Sequence, residues 1–401
     1  MRVLTTIRKA EYAELIGLCL IQGAAAAMWL VPLTTILQAH DLTIIRPYAY
    51  AATGLAAFIS PLIFGAMADH HVSPIKVLRG LAMATAVAIT IVSGAIQTGW
   101  NPWLVLVLIQ IYCLCSSPLI SISSTIIFAR LADSQKEFGP IRAMYTLGWM
   151  AGCWTVSLLN ADQSPVAGYA GAVTWLIVSG FTYFLPPLET PKSVEHLTLR
   201  QRLGWDALAL LKHPDHRVVF ITVALLAIPL AAFYPYSPPH MRELGLQHTT
   251  AWMTLGQITE MICMFTLGAL LAKWRLKWIF VAGLGFSVLR FVLCALNSRV
   301  WLLAGVFLHG ASFTLVFITA QIYLDQRVDA AWRARAQALM TLVNSGFGNL
   351  AGYLSTGAWF AVCTGPAGTR WTLFWNGMAV MSAAVLVYFL AVYRGRTREK
   401  E

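Results

Sequence analysis

The chain of 401 residues is 58% apolar and only 11% charged. A soluble domain carries about a quarter charged residues, so this chain cannot cover a globular surface with polar groups, which excludes a soluble protein. The net charge of +11 does not indicate nucleic-acid binding, because the basic residues lie in short clusters between apolar runs, as in the cytoplasmic loops of membrane proteins.

The apolar runs predict an all-α membrane protein. A spanning helix needs about 20 mostly apolar residues. Backbone groups in hydrocarbon must be satisfied within their own segment, so each run should be a helix. The twelve predicted spans are 13–37, 48–68, 75–96, 102–128, 140–159, 166–185, 218–239, 250–272, 277–296, 300–324, 335–360 and 371–393.

The loops predict the orientation and a division into halves. Most of the 28 Lys and Arg residues fall in alternate loops, which places both termini in the cytoplasm. The predicted domains are a six-helix bundle at 1–186, a cytoplasmic linker at 187–217 and a second six-helix bundle at 218–401. Similar segments at equivalent loops, such as GAMADHHVSPIK and GALLAKWRLKW, indicate two pseudo-symmetric halves, the architecture of major facilitator transporters.

Few ionisable residues lie inside the predicted spans. Among 17 acidic residues, 28 basic residues and nine histidines, only Glu260, Arg290 and His309 lie deep in a span. Such groups are costly in hydrocarbon, which favours a role in transport. Glu260 and Arg290 differ in predicted depth by about 5 Å at 1.5 Å per residue, so an ion pair between them is possible.

These three residues are the predicted proton-coupling groups. A histidine titrates near neutrality, so His309 is a candidate proton carrier. The alternatives are a static ion pair joining spans eight and nine, and a neutral, hydrogen-bonded His309. Gln257 lies one turn before Glu260 on the same helix face and suits a hydroxylated or heterocyclic ligand, or else an interhelical contact. The seven cysteines form no CxxC pair, and we expect neither a metal nor a cofactor.

A loop motif and several longer stretches carry a family resemblance. Gly65-x-x-x-Asp69 with Lys76 resembles the loop motif for conformational change of major facilitator transporters, although His70 follows where a basic residue is usual. The longer stretches are PIRAMYTLG (140–148), DALALLK (206–212), GQITE (256–260), LRFVL (289–293) and RARAQALMTLVNSGFGNLAG (333–352). These stretches, from both halves, resemble the nucleoside:proton symporter family of that superfamily.

The resemblance implies a set of substrate-binding positions. Gln257 and Glu260 match binding positions of the family, and Arg142-x-x-x-Thr146-x-x-Trp149 matches residues that line its cavity. The chain departs from the family at His309, where tyrosine is usual, and at Thr314, where a carboxylate is usual. The predicted substrate-binding residues are Gln22, Arg142, Thr146, Trp149, Tyr234, Gln257, Glu260, His309, Phe313 and Thr314.

The function predicted on these grounds is proton-coupled import of nucleosides by alternating access. We expect a monomeric, multi-pass protein of the bacterial inner membrane that is no enzyme. Its predicted partners are the substrate, the proton and membrane lipid, without nucleic acid. The departure at Thr314 leaves a permease for aromatic acids, sugars or drugs as an alternative, and a channel or membrane enzyme as a remote one.

Overall fold

The computed structural model of the chain describes residues 12–68, 73–131, 134–187 and 205–395. Most of the residues in these ranges are helical. Eight helical segments within them are long and apolar enough to cross a membrane, and Val166–Phe181 is a shorter apolar helix. The chain is therefore a helical membrane protein, as its composition predicts.

The helices are often broken into pieces within one predicted span. In the first half they are α1 (Ala13–Leu30), α2 (Leu33–Ala39), a 3₁₀ turn (Thr43–Ile45), α3 (Arg46–Ala68), α4 (Pro74–Gln97), α5 (Pro102–Ser116), α6 (Leu119–Phe128), α7 (Ser134–Leu158) and α8 (Val166–Phe181). A 3₁₀ segment (Trp205–Lys212) follows.

The second half continues in the same way and ends with a small hairpin before its last helix. Its elements are α9 (Pro214–Leu230), α10 (Phe233–Glu243), α11 (Thr249–Trp252), α12 (Leu255–Lys273), α13 (Leu276–Ala295), α14 (Arg299–Phe307), α15 (His309–Phe313), a π segment (Thr314–Ile318), α16 (Thr319–Arg327), α17 (Ala330–Thr341), a π segment (Leu342–Gly348), α18 (Asn349–Cys363), β1 (Thr364–Gly365), β2 (Gly368–Thr369) and α19 (Trp371–Val392). The two strands pair antiparallel.

Prolines explain several of the breaks. Pro32 separates α1 from α2, Pro118 separates α5 from α6, and Pro229 precedes the break between α9 and α10. Proline has no N–H and its ring clashes with the carbonyl four residues earlier, so the helix bends or stops there. Pro74 and Pro102 instead begin α4 and α5, where no N–H is needed.

The chain divides into two compact units. The first comprises Met1–His196 and Gln247–Thr254, and the second Leu197–Leu246 and Leu255–Glu401. Of the predicted linker at 187–217, residues 188–204 lie outside the described residues. Of the loop motif, Asp69 lies outside them too, whereas Gly65 is in α3 and Lys76 is an exposed residue near the start of α4.

The first unit is built on very close packing of α1 against α7. A Cβ atom at Gly148 would overlap the backbone of Leu20, and one at Gly152 would overlap the backbone of Ala24. Gly23 on α1 faces the carbonyl of Tyr145 in the same way. Small residues let helix backbones approach closely in a membrane, where van der Waals contact replaces the hydrophobic effect between helices.

Residues 247–254 belong to the first unit although they are distant from it in sequence. Asp162 accepts a hydrogen bond from the backbone N–H of Thr250 (2.8 Å), and Ser157 accepts one from Ala251 (3.0 Å). The indole of Trp154 donates to the hydroxyl of Thr254 (3.1 Å). The otherwise unmatched N–H groups that begin α11 are thus satisfied by side chains from the end of α7 and the loop after it.

The second unit contains a buried histidine that is fully hydrogen-bonded. The indole N–H of Trp375 donates to His240 Nδ1 (2.9 Å), so His240 Nε2 carries the hydrogen and donates to Asn297 (2.8 Å). The His240 ring also stacks on Trp371, with centroids 4.4 Å apart. This network holds α10 against the start of α19 and the end of α13.

The glycine contacts of α7 predict a stability effect. Replacing Gly148 by Ala should force α7 away from α1 and destabilise the protein by about 1–3 kcal/mol, the usual cost of overpacking. Thermal unfolding of the detergent-purified protein measures the effect. The matched control is Gly80→Ala on α4, where a Cβ meets nothing within 4 Å. Equal unfolding temperatures for the two variants would contradict the close approach of α1 and α7.

Candidate functional site

Three buried polar residues on different helices form the centre of the candidate site in the second unit. Gln257 on α12, Arg290 on α13 and His309 on α15 are 4%, 1% and 7% exposed. The Arg290 guanidinium donates a hydrogen bond of 2.5 Å to His309 Nδ1. Arginine has no acceptor and stays protonated, so Nδ1 must accept and the imidazole is neutral, with its hydrogen on Nε2.

Aromatic rings surround this pair. The His309 ring stacks on Phe233 with centroids 3.7 Å apart and planes at 4°, and Phe313 lies beyond it at 6.2 Å. The Arg290 guanidinium lies over the rings of Phe233 (4.9 Å) and Phe291 (4.6 Å). The negative ring faces stabilise a buried cation, which is otherwise costly in a low-dielectric interior.

The ion pair that the sequence makes possible between Arg290 and Glu260 is not observed among the described residues. In the described part of the chain Arg290 has no carboxylate partner, because its side chain turns to α15 and bonds His309 instead. Glu260 is half-buried on α12. Gly310 lies against the backbone N of Glu260, and Gly256 lies against His309, so α12 and α15 are in close contact. The structure therefore places Glu260 and His309 on adjoining helices.

Gln257 and Tyr234 give the site its neutral polar groups. The Gln257 amide donates a long hydrogen bond of 3.4 Å to the Tyr234 hydroxyl, and Tyr234 lies edge-on to His309 at 6.4 Å. Among the described residues, Gln257 Oε1, Arg290 Nε and His309 Nε2 have no hydrogen-bond partner. Buried polar atoms are normally satisfied, so this unmatched set is what a polar ligand or ordered water would meet.

Thr314 lies apart from these polar contacts although it follows Phe313 directly. It is fully buried at the start of the first π segment. No hydrogen bond in the described ranges joins it to Gln257, Arg290 or His309, and its hydroxyl has no partner there. Its carbonyl accepts a hydrogen bond from Thr319 (3.3 Å) instead.

The predicted residues of the first unit form a second group, described by itself. Gln22 is buried on α1 and accepts a hydrogen bond of 2.6 Å from Ser123, while its Nε2 has no partner in the described part of this unit. On α7, the guanidinium of Arg142 lies 4.3 Å from the centre of the Tyr145 ring. The rings of Tyr145 and Trp149 lie 6.3 Å apart, and Thr146, on the same helix, is buried. Arg142 is thus paired with an aromatic face.

Sequence reasoning missed several of these partners. Phe233 and Phe291 are apolar residues in apolar spans, so their sequence context carries no signal of contact with a cation. Ser123 is one of many hydroxyl residues in its span. Tyr145 could have been found, because it follows Arg142 by three residues and such pairs share a helix face.

Comparison with known proteins shows the family of the chain. A family model described as nucleoside H+ symporter matches residues 12–398. The chain belongs to the nucleoside H+ symporter family. The putative nucleoside transporter YegT of Escherichia coli is 32% identical over 376 residues, which cover 88% of this chain and 86% of YegT. The nucleoside permease NupG of Escherichia coli is 26% identical over 364 residues, 86% of each chain.

A solved structure shows the same fold. The crystal structure of nucleoside transporter NupG matches with a TM-score of 0.85 over 96% of this chain and 99% of that one, at 24% identity. A symporter of this family is a multi-pass membrane transporter and no enzyme, as the sequence predicts. The substrate-binding roles of individual residues stay predictions at this point.

The Arg290–His309 hydrogen bond predicts energetic coupling between the two side chains. In a double-mutant cycle with Arg290→Met and His309→Phe, the unfolding free energies should be non-additive by about 1–3 kcal/mol, since the bond involves a charged donor. Denaturant unfolding in detergent measures this. Arg290→Met combined with His240→Phe is the control cycle and should be additive. Additivity in both cycles would mean that the bond contributes nothing to stability.

Proposed function

We propose that this chain imports nucleosides together with protons by alternating access, through twelve spanning helices with both termini in the cytoplasm. The family match over residues 12–398 carries this proposal. The unmatched polar groups of the second unit support it, because sparse polar side chains at mid-membrane depth are typical of substrate and ion sites in secondary transporters. We propose that it acts as a monomer.

Each unit by itself offers side chains that suit a nucleoside. Gln257, Glu260 and the Tyr234 hydroxyl offer donors and acceptors for ribose hydroxyls or base edges, and Phe313 offers a flat ring. In the first unit, Gln22, Arg142 and Thr146 offer polar contacts, and Trp149 offers a surface on which a planar base stacks.

The proposed proton site is His309 with its neighbours. In the observed arrangement Nδ1 accepts from Arg290, so a proton can bind there only when that hydrogen bond breaks. Two adjacent cations would then repel each other. The helices packed around His309 carry the ionisable residues Tyr234, Glu260 and Arg290 among others, and Glu260 is the acid to which the displaced guanidinium would turn. Proton binding would thereby replace the Arg290–His309 pair by an Arg290–Glu260 pair. A transporter can couple such a change of packing to substrate binding.

The relatives' descriptions favour nucleosides over other solutes. The xanthosine permease of Escherichia coli, 24% identical over 85% of each chain, is also described as a transporter of a nucleoside. Aromatic acids, sugars and drugs, the alternatives suggested by Thr314, are not favoured.

We assign Gly65, Asp69 and Lys76 to the loop that changes with conformation, by their resemblance to the superfamily motif.

Proton coupling is tested by uptake into proteoliposomes. The wild type should accumulate labelled uridine when the outside is acidic, and accumulation should collapse when the pH gradient is dissipated. His309→Gln retains polarity but does not titrate, so it should only equilibrate uridine. His240→Gln replaces a histidine with a structural role. The fraction of this variant that folds should still accumulate uridine when a pH gradient is present. Gradient-driven accumulation by His309→Gln would contradict the proton role of His309.

Substrate binding is tested at Gln257 and Glu260. Gln257→Leu and Glu260→Gln should each raise the uridine Kd by about tenfold or more, since one lost hydrogen bond to a buried polar group costs about 1–3 kcal/mol. Uridine-induced thermal stabilisation measures Kd without requiring transport. Gln247→Leu, at an exposed glutamine, is the control. Unchanged uridine affinity in both site variants would refute this substrate site.

A further inference from the structure

The surface of the second unit carries a groove outside the candidate site. It has a volume of about 610 Å³ and is formed where α12 ends and α13 begins. Its lining residues are Lys273, Trp274, Arg275, Trp278, Val281 and Ala282. The positive-inside pattern of the sequence places this turn at the cytoplasmic end of the two helices.

The basic residues of the groove have no carboxylate partner in the part of the chain that the structure describes. Lys273 and Arg275 are exposed and have no hydrogen-bond or ion-pair partner among the described residues. Lys277 donates to the carbonyl of Tyr393 (3.2 Å), which keeps a third positive charge beside them. The sequence has no Asp or Glu between Glu260 and Asp325. The turn between α12 and α13 therefore has no acidic residue of its own to neutralise these charges.

The rest of the groove is apolar, and its two tryptophans are exposed. Trp274 is 52% exposed and Trp278 is 53% exposed, one on each side of the start of α13. Tryptophan prefers the level of lipid headgroups, where its ring contacts hydrocarbon and its N–H contacts polar groups. Val281 and Ala282 continue the groove one turn further along α13, in the direction that an acyl chain takes from a headgroup.

We propose that this groove binds one anionic phospholipid of the cytoplasmic leaflet. Lys273 and Arg275 contact its phosphate, and Trp274, Trp278, Val281 and Ala282 contact its glycerol and upper acyl chain. Basic side chains at the cytoplasmic ends of spanning helices attract anionic lipids by about 1 kcal/mol each near the surface, and arginine and lysine both bind phosphate. A lipid would contact both the basic and the apolar residues of the groove, whereas free phosphate would contact the basic residues alone.

The test is lipid binding by the detergent-purified full chain. Native mass spectrometry and thermal shift are recorded with phosphatidylglycerol, with phosphatidylcholine of the same chain length and with inorganic phosphate. The wild type should retain and be stabilised by phosphatidylglycerol, and phosphatidylcholine or inorganic phosphate should give a smaller shift. The double variant Lys273→Gln/Arg275→Gln should bind phosphatidylglycerol about 25-fold more weakly, about fivefold per charge. Trp274→Ala/Trp278→Ala should weaken binding of both lipids.

The matched control removes the same charge elsewhere. Lys212 and Arg217 are exposed and lie outside the groove, so Lys212→Gln/Arg217→Gln should bind phosphatidylglycerol like the wild type. Equal weakening in this control would show attraction by overall charge and overturn the site. Unchanged binding by Lys273→Gln/Arg275→Gln, or a phosphate shift as large as the lipid shift, would overturn it as well. The variants carry no change at Gln257, Glu260 or His309, so failure here leaves the transport proposal intact.

Discussion

A positive charge that is almost completely buried in a membrane-spanning unit constrains the second half of this protein. Arg290 is 1% exposed and has an imidazole and two phenyl rings around it in place of a carboxylate. A buried cation without such partners would be strongly unfavourable. The ring of His309 stacks on Phe233, and α15 approaches α12 through Gly256 and Gly310. Both contacts hold Nδ1 of His309, the acceptor for Arg290, in the place that the buried cation requires.

Two of the buried histidines of the second unit differ in their hydrogen-bond partners rather than in their depth. His240 bonds through both ring nitrogens, to Trp375 and Asn297, and a proton can bind its Nδ1 only if the bond from Trp375 breaks. His309 must also lose a bond to gain a proton, because its Nδ1 accepts from Arg290. Protonation of His309 would displace a cation, whereas protonation of His240 would displace a neutral indole.

The sequence predicts the helices well, because length and hydropathy are local properties that lipid imposes on each segment. It also singles out Arg290 and His309, since an ionisable residue in an apolar run is visible without a structure. Their pairing is not predictable in this way. Depth along two helices makes Glu260 a possible partner of Arg290, but the rotation of each helix about its axis decides which side chains meet. The attachment of residues 247–254 to Asp162 and Ser157 is likewise a long-range contact without a local signal.

The two π segments have a consequence for the comparison of relatives. The second contains the NSGFG motif, and the first begins at Thr314. A π turn closes i→i+5 hydrogen bonds, one residue more than an α turn, so side chains beyond it are displaced by about 100° from an ideal helical wheel. Positions after Thr314 that share a column in an alignment therefore face the same direction only in relatives that keep the wide turn. In a relative without the π turn, a carboxylate one position away in the alignment can then occupy the place that a different side chain occupies in this chain.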